Sequence, residues 1–215
     1  MSIGIIGSGA LGSNIARMLA RSGIPATITN RRGPASLAPL VAEVGSSITA
    51  GTIEEAASAD IVFVALRWVD LEKVLGRLPA WDGRIVVDAT NAVEFLDPNS
   101  ADAKDPSNPL AAYGIKVVDL GGKHSSQVFR QLVPGARVVK AFNHLDVRVL
   151  SQPQVSGGRR VLFYSGDDAA AKADVRKIMD AAAFSPVDLG ALDVGGPLAS
   201  PPFGPLAAGS FVKLA

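Results

Sequence analysis

Short apolar runs alternate along the chain with stretches in which apolar residues recur at helical spacing. Residues 60–66 (DIVFVAL) and 136–142 (ARVVKAF) are nearly continuous apolar runs, which are typical of strands covered on both faces in a parallel sheet. Residues 10–23 instead place apolar side chains every three or four positions and end on Gly23, which predicts an amphipathic helix. This alternation predicts an α/β fold with a doubly wound, mostly parallel sheet.

The other predicted elements follow the same alternation. The predicted strands cover residues 2–6, 26–29, 47–49, 60–66, 84–88, 116–119, 136–142, 159–165 and 186–189. Residues 169–183 predict a further helix, for which Asp167 and Asp168 are N-cap candidates rather than metal ligands. Residues 91–107 are rich in Asp, Asn, Pro and Ser, and we expect a long loop over the sheet edge there, of the kind that is often functional.

The domain organisation is predicted from length and from the Pro-rich end of the chain. The chain has 215 residues, of which 48% are hydrophobic, and this suits a single domain. We expect that domain to cover residues 1–194. Residues 195–215 predict an irregular arm that ends in a short helix.

Charge and composition exclude several classes of function. The formal net charge is +1, which argues against a nucleic-acid partner, because such proteins carry a basic face. The chain has no cysteine, so disulfides and thiolate chemistry are excluded. The two histidines, His124 and His144, are too few for a zinc site without carboxylates, and we expect no metal.

Targeting signals are not evident in the sequence. The apolar N-terminus carries its first positive charge at Arg17, so we interpret it as a strand and a turn and not as a signal peptide. The apolar residues 197–215 are interrupted by prolines, which would break a membrane-spanning helix. We therefore expect a cytoplasmic protein without a membrane partner.

A glycine-rich turn joins the first predicted strand to the first predicted helix. Its residues are Gly7, Ser8, Gly9, Ala10, Leu11 and Gly12. Gly7 permits the tight turn, Gly9 lets the backbone approach a pyrophosphate, and Gly12 lets helix and strand pack closely. Because the motif lies between the elements that the mechanism requires, it predicts dinucleotide binding in a Rossmann-like domain, although glycine-rich turns can be merely structural.

The end of the second predicted strand indicates which dinucleotide is bound. An NAD site normally has Asp or Glu there to bind the ribose 2′-hydroxyl, whereas this chain has Asn30 followed by Arg31 and Arg32. A guanidinium pairs bidentately with a 2′-phosphate. The residues therefore predict NADP(H). The alternative, that these arginines are only solvated loop charges, stays most open for Arg32.

The nicotinamide is expected over the carboxyl ends of the later strands. The residues at these ends are Leu66, Arg67 and Trp68, then Thr90 and Asn91, and then Ala141, Asn143 and His144. Trp68 could equally be core packing, Asn91 a turn former, and His144 a loop histidine with an ordinary hydrogen bond. We identify no certain catalytic residue; Asn143 and His144 are candidates for positioning an acceptor.

Several stretches resemble a known family. They are IGIIGSGALGSNIA, TNRR, VPGARVVKAFNHL, SGDD, PVDLGAL and PLAAGSFVKLA. The chain resembles the NADPH-dependent reductases of the deazaflavin coenzyme factor 420, to which the cytoplasmic domains of STEAP-type ferric reductases are related. The resemblance implies that residues 8–11 bind the pyrophosphate and that Asn30 and Arg31 bind the 2′-phosphate. It also implies that residues 66–68 and 141–143 face the nicotinamide and the acceptor.

The expected function is hydride transfer between NADPH and a small-molecule electron acceptor of the deazaflavin or flavin type. Two alternatives stay open: a carbonyl or imine reductase related to the β-hydroxyacid dehydrogenases, and a non-catalytic NADPH-binding protein. The resembled family is dimeric, and the arm's apolar residues have little chain after them to cover them. Exposed apolar surface usually marks an interface, so we expect a homodimer in which the arm helps to close the acceptor pocket.

Overall fold

Strands and helices alternate along most of the chain in the computed structural model, which describes residues 1–214. The strands are β1 (Ile3–Ile6), β2 (Ala26–Thr29), β3 (Ile48–Ala50), β4 (Ile61–Val64), β5 (Ile85–Asp88), β6 (Val93–Phe95), β7 (Ile115–Val117), β8 (Arg137–Ala141), β9 (Gln154–Val155), β10 (Gly158–Gly166), β11 (Ser185–Asp188) and β12 (Val212–Leu214). The α-helices are α1 (Ala10–Arg21), α2 (Ala38–Val44), α3 (Ile53–Ala57), α4 (Leu71–Leu75), α5 (Ser125–Leu132), α6 (Val147–Leu150), α7 (Ala169–Ala181) and α8 (Leu192–Ala199). Short 3-10 turns cover Pro34–Leu37, Trp68–Asp70, Asp102–Lys104 and Ala111–Tyr113.

The main sheet is doubly wound, as the sequence predicts. Its order is β11-β10-β8-β5-β4-β1-β2-β3, so the chain runs outwards from β1 to β3 on one side and, from β4, to β8 on the other. Every neighbouring pair from β3 to β8 is parallel. β10 pairs antiparallel with β8, and β11 pairs parallel with β10. The prediction of a Rossmann-like, mostly parallel sheet is confirmed.

The continuous apolar runs are explained by cores on both faces of the sheet. In β4, Ile61 and Phe63 belong to one buried cluster, whereas Val62 and Val64 belong to another. Successive side chains of a strand point to opposite faces, and here α1, with Ile15 and other fully buried residues, contributes to the core on one of them. Both faces of the sheet must therefore be apolar. The glycine-rich turn follows β1 and is held at the edge of this packed sheet.

Two predicted features between β5 and β8 are corrected by the structure. The predicted strand at residues 116–119 does not join the main sheet; β7 instead pairs antiparallel with β6 in a separate two-stranded sheet, with Val93 opposite Val117. β6 in turn lies inside the predicted loop at residues 91–107. The alternation of residues 93–95 is too short to distinguish a strand from a loop by pattern alone.

The C-terminal arm differs from the prediction in three respects. The expected boundary at residue 195 falls inside α8, and the expected short helix is the strand β12, which pairs antiparallel with β10. The arm is also partly covered by its own domain, because Leu206 packs against the cluster that contains Phe163, and the rings of Phe163 and Phe211 are 5.6 Å apart. Ala215, the last residue of the predicted arm, lies outside the described residues.

The acidic pair before α7 is divided between two roles. Asp168 is the N-cap, as predicted, and its Oδ1 accepts a hydrogen bond of 2.7 Å from the backbone N–H of Ala171. Asp167 instead accepts from the backbone N–H of Leu192 and forms an ion pair with Arg130.

Within residues 1–214, no helix is long and apolar enough to cross a membrane.

Candidate functional site

The turn between β1 and α1 has the geometry of an anion-binding cradle. Gly7 has a φ of +108°, and a Cβ at Gly12 would lie only 1.9 Å from the backbone oxygen of Gly7, so both positions require glycine. A Cβ at Gly9 would meet nothing within 4 Å, which shows open space in front of this backbone. α1 begins after Gly9 without a side-chain cap or an acidic residue in its first turn, and its first N–H groups are free for an anion.

The end of β2 lies against this cradle through Asn30. Its Nδ2 donates to Ser8 Oγ at 2.9 Å and to Ser36 Oγ at 3.0 Å, and its Oδ1 accepts from the backbone N–H of Arg32 at 2.8 Å. Asn30 thus fixes the turn that carries Arg31 and Arg32. Ser36 was not predicted; its only signal in the sequence is a hydroxyl six positions after Asn30.

Arg31 and Arg32 are placed where a 2′-phosphate would be expected. Both residues are exposed, and the ion pairs found within residues 1–214 involve other groups. β2 is followed by Asn30 and not by a carboxylate, so nothing at this strand end would repel a phosphate. The glycine turn and the N-terminus of α1 fit the pyrophosphate of NADP(H), and the guanidinium groups fit its 2′-phosphate.

The residues after β4 have different environments. Leu66 lies beside the glycine turn, with its Cδ2 3.2 Å from where a Cβ of Gly7 would be. Arg67 is exposed and forms an ion pair of 2.9 Å with Asp70. Trp68 is half-buried and packs against the core cluster on one face of the sheet. Ala65 and Leu66 therefore directly border the cradle, and Trp68 has a packing role.

Asn91 and Asn143 form a reciprocal amide pair at the carboxyl ends of β5 and β8. Asn91 Nδ2 donates to the backbone oxygen of Asn143 at 2.8 Å, and Asn143 Nδ2 donates to Asn91 Oδ1 at 3.0 Å. Asn143 Nδ2 is also 3.3 Å from the backbone oxygen of Ala199, at the end of α8. The pair joins two segments that are distant in sequence and connects them to the C-terminal part of the chain.

Thr90 and Ala141, predicted as cofactor contacts, are interior residues. Thr90 is buried and Ala141 is completely buried in the core, so the structure does not bring these side chains to the surface of the site. Thr90 donates through its N–H and Oγ1 to Asp88 Oδ1, at 2.9 and 2.7 Å. Strand-end position alone does not tell which side chains face the cleft, so contact of Thr90 and Ala141 with the cofactor stays a prediction.

A buried ion pair of Lys140 with Asp88 was missed by sequence reasoning. Lys140 Nζ is 2.9 Å from Asp88 Oδ2, with 1% and 0% of the two side chains exposed, and Nζ also donates to the backbone oxygen of Thr90. The signal was present, because Lys140 interrupts the apolar run at residues 136–142. A charged residue inside a strand covered on both faces needs a partner.

His144 is buried, with 1% of its surface exposed, and packs on Phe163 with ring centroids 5.1 Å apart. Neither ring nitrogen has a hydrogen-bond partner among residues 1–214. Burial is the main cause that lowers the pKa of His144 to about 4, and the backbone of Val161 acts in the opposite direction. His144 is therefore neutral near pH 7. Its buried ring without a hydrogen-bond partner differs from the alternative of an ordinary hydrogen-bonded loop histidine.

A cavity of about 550 Å³ lies beside the asparagine pair. It is lined by Ala92 and by residues 117–120, 122–125, 197–198 and 200–205. Most of the lining is apolar, and it includes Phe203 and several prolines; the charged or titratable groups on it are Asp119, Lys123 and His124. His124 is exposed at the start of α5.

Within residues 1–214, no group of three or more His, Cys, Asp or Glu side chains could hold a metal ion.

Comparison with known families gives a match in the part of the chain that contains the cradle. Residues 2–92 match the family model described as "NADP oxidoreductase coenzyme F420-dependent". A solved structure of a hypothetical protein from Sinorhizobium meliloti is 39% identical and covers 99% of this chain and 96% of its own, with a TM-score of 0.85. The similarity to that protein therefore extends over both the cradle and the cavity segments.

More distant relatives share the fold or part of the sequence. A structure from Arthrobacter sp. FB24, named as a candidate F420-dependent NADP-reductase, has a TM-score of 0.66 at 24% identity and covers 89% of this chain and 86% of its own. Metalloreductase STEAP3 of Rattus norvegicus is 28% identical over 194 residues, which are 88% of this chain and 34% of that protein. The chain spans about a third of the length of the curated relatives it matches.

Proposed function

We propose that the chain acts as an NADP oxidoreductase of the coenzyme F420-dependent kind, whose family model matches residues 2–92, and that it transfers a hydride between NADPH and a deazaflavin or flavin-type acceptor. The adenosine half of NADPH lies along Asn30 to Ser36, and its pyrophosphate lies on the turn from Gly7 to Gly12. The nicotinamide lies at the asparagine pair, next to the cavity that receives the acceptor.

The observation that carries this proposal is the alignment of three features along the carboxyl edge of one parallel sheet. The free guanidinium groups follow β2, the cradle follows β1, and the cavity adjoins the ends of β5 and β8. In doubly wound folds, ligands bind across this edge at the point where the strand order reverses. A dinucleotide laid across it would bring its nicotinamide end to the cavity wall at Ala92.

The acceptor class is supported by what surrounds the asparagine pair. When bound, NADPH supplies the hydride, and a conjugated ring can delocalise the charge that it receives, so no side chain must deliver a proton in the same step. Asn91 and Asn143 can orient rings by hydrogen bonding, while the neutral His144 lies buried behind them. The protein's contribution is then to hold two rings together and to exclude water.

Cofactor choice is tested by Arg31→Ala. We expect NADPH binding to weaken by about 1.5–3 kcal/mol, the scale of a hydrogen bond to a charged group, while NADH binding is unchanged. Arg77→Ala, which removes another exposed arginine, is the control and should change neither affinity. Equal losses for NADPH and NADH in Arg31→Ala would show that Arg31 does not bind the 2′-phosphate.

The acceptor is tested by following NADPH oxidation with coenzyme F420, FMN, riboflavin, ketones and imines. Turnover with the deazaflavin or the flavins, and not with ketones or imines, is the expected result. Tight NADPH binding without turnover of any of these acceptors would instead favour a non-catalytic NADPH-binding protein.

A carbonyl or imine reductase is the second candidate, and His124 is the observation that favours it. Carbonyl reduction needs a general acid, which typically contributes about 10²–10⁴-fold, and His124 lies on the cavity with Lys123 and Asp119. If this candidate is correct, His124→Ala should lower ketone or imine turnover by about a hundredfold or more with unchanged NADPH affinity. A flavin-type acceptor should lose tenfold or less in the same variant.

Assembly is proposed as a homodimer formed through the arm. Phe203 and Leu214 are among the exposed large apolar side chains, and such surfaces usually mark interfaces. Phe203 also lines the cavity, so a second subunit there would help to close it. Light scattering at micromolar concentration should give the mass of two chains, and a monomer would contradict the proposal.

A further inference from the structure

The ion pair of Asp88 and Lys140 has a geometry that connects the interior of the sheet to the site. The two residues are neighbours in register on β5 and β8, with side chains 1% exposed or less and the charged atoms 2.9 Å apart. The preceding residues of both strands, such as Val87 and Val139, are buried and apolar. The pair is therefore an exception among the buried residues of the two strands.

Stability alone does not account for such a pair. Both charges lose their hydration when they are buried, and replacing a buried ion pair by apolar residues of similar volume is often neutral or stabilising. The pair would then be expected to have some other role, such as selecting one local conformation. The hydrogen bonds around Asp88 and Lys140 show which conformation that is.

Thr90 is held by the pair through all of its polar groups. Its N–H and Oγ1 donate to Asp88 Oδ1, and its backbone oxygen accepts from Lys140 Nζ. Thr90 is followed directly by Asn91, whose amide forms the reciprocal pair with Asn143. The ion pair is thus connected to the asparagines that border the proposed nicotinamide position by its hydrogen bonds to Thr90 and by the peptide bond between Thr90 and Asn91.

We propose that Asp88 and Lys140 are positioning residues for the nicotinamide half of NADPH. They fix Thr90, and through it they fix the orientation of Asn91 and Asn143 before the cofactor binds. This inference rests on the NADPH binding proposed above. It assigns no contact with the cofactor to the ion pair itself, because both side chains are enclosed.

The test compares NADPH with adenosine 2′,5′-bisphosphate, which carries the 2′-phosphate but has no nicotinamide. The ratio of the two dissociation constants measures the contribution of the nicotinamide half without any acceptor. In the double variant Asp88→Asn/Lys140→Met, which leaves no buried charge, NADPH affinity should fall by about tenfold or more, because the site is no longer preorganised. Affinity for the bisphosphate should stay within about twofold of the wild type.

A matched control removes an ion pair of the same composition from the surface. Asp174 and Lys177 pair at 2.8 Å on α7, and Asp174→Asn/Lys177→Met should leave both affinities unchanged. A merely stabilising role of Asp88 and Lys140 would lower the melting temperature and leave the affinity ratio unchanged. That result would overturn the inference.

Thr90→Val provides a second route if the double variant does not fold. It removes the hydroxyl that donates to Asp88 and keeps both charges, so the affinity ratio should shift in the same direction, and Thr90→Ser should restore it. An unchanged ratio in a folded Thr90→Val protein would contradict the inference. Failure of the wild-type protein to bind either ligand would overturn the proposed function itself, and the inference with it.

Discussion

The phosphate side and the acceptor side of the proposed site differ in how much chain is needed to build them. The phosphate side lies within residues 7–36, and its main features, the glycine turn and Arg31, are close to strand ends. The acceptor side requires residues 91–92, 117–125, 143–144 and 197–205. The first side is built by local connections, whereas the second exists only when distant segments meet.

Exposure differs between the two sides in the same way. Gly9, Ala10 and Arg31 are exposed, so this side presents its binding groups directly to solvent. Asn143 and His144 are buried, and they lie beneath segments contributed by the C-terminal part of the chain. Binding chemistry on the phosphate side can therefore be altered without loss of the fold, whereas changes on the acceptor side will combine effects on binding and on stability.

Gly12→Ala should have the largest effect, because it breaks the phosphate side at a point where that side depends on close packing. A Cβ there would lie 1.9 Å from the backbone oxygen of Gly7, so β1 and α1 must separate. We expect the free energy of unfolding to fall by about 3 kcal/mol, together with loss of NADPH binding, measured by urea denaturation and titration.

Gly9→Ala is the matched control for that change. A Cβ at Gly9 meets no protein atom within 4 Å, so stability should be retained while the added methyl group obstructs the pyrophosphate. If Gly12→Ala were as stable as the wild type, the close packing of strand and helix would not be required.

His144 should make the stability of the acceptor side depend on pH. Its pKa is lowered from 6.5 to about 4 by burial, so its contribution is fully present above pH 6.5, where it is neutral in both states. As the pH falls from 6.5 towards about 4, the unfolded chain binds the proton first, and roughly 3 kcal/mol of stability should be lost.

Urea denaturation across this pH range checks that prediction. His144→Leu should remove most of this pH dependence, whereas His124→Leu, at an exposed position, should leave it unchanged. Equal pH dependence in the wild type and His144→Leu would show that the histidine is not buried in its neutral form.

Phe203→Ala should have the smallest effect and should be confined to the acceptor. Phe203 lines the cavity and is 70% exposed, so its removal opens no hole in the core. Loss of its apolar contact should raise the KM for the acceptor by about fivefold with NADPH affinity unchanged. Phe95→Ala, which removes a ring that is 65% exposed and does not line the cavity, should not change the KM. Equal effects of the two variants would contradict the assignment of the cavity.

The parallel sheet and the glycine turn of the proposed cradle follow from the amino-acid sequence alone. Apolar runs such as residues 60–66 report burial on both faces, and a glycine turn between a strand and a helix is a local arrangement whose geometry follows from neighbouring residues. The prediction of NADP rather than NAD likewise rests on local sequence, because Asn30 at the strand end and the guanidinium of Arg31 are adjacent in the chain.

The proposed acceptor side and the network behind it depend on contacts between segments that are distant in the sequence. Asp88 and Lys140 are 52 positions apart, so either residue, considered alone, indicates only that a partner is needed. The short strands β6 and β12 depend on pairing with β7 and β10, and no periodicity over three residues can specify such a partner. Local geometry is encoded in neighbouring residues, whereas burial, pairing and cavities depend on which distant segments the folded sheet brings together.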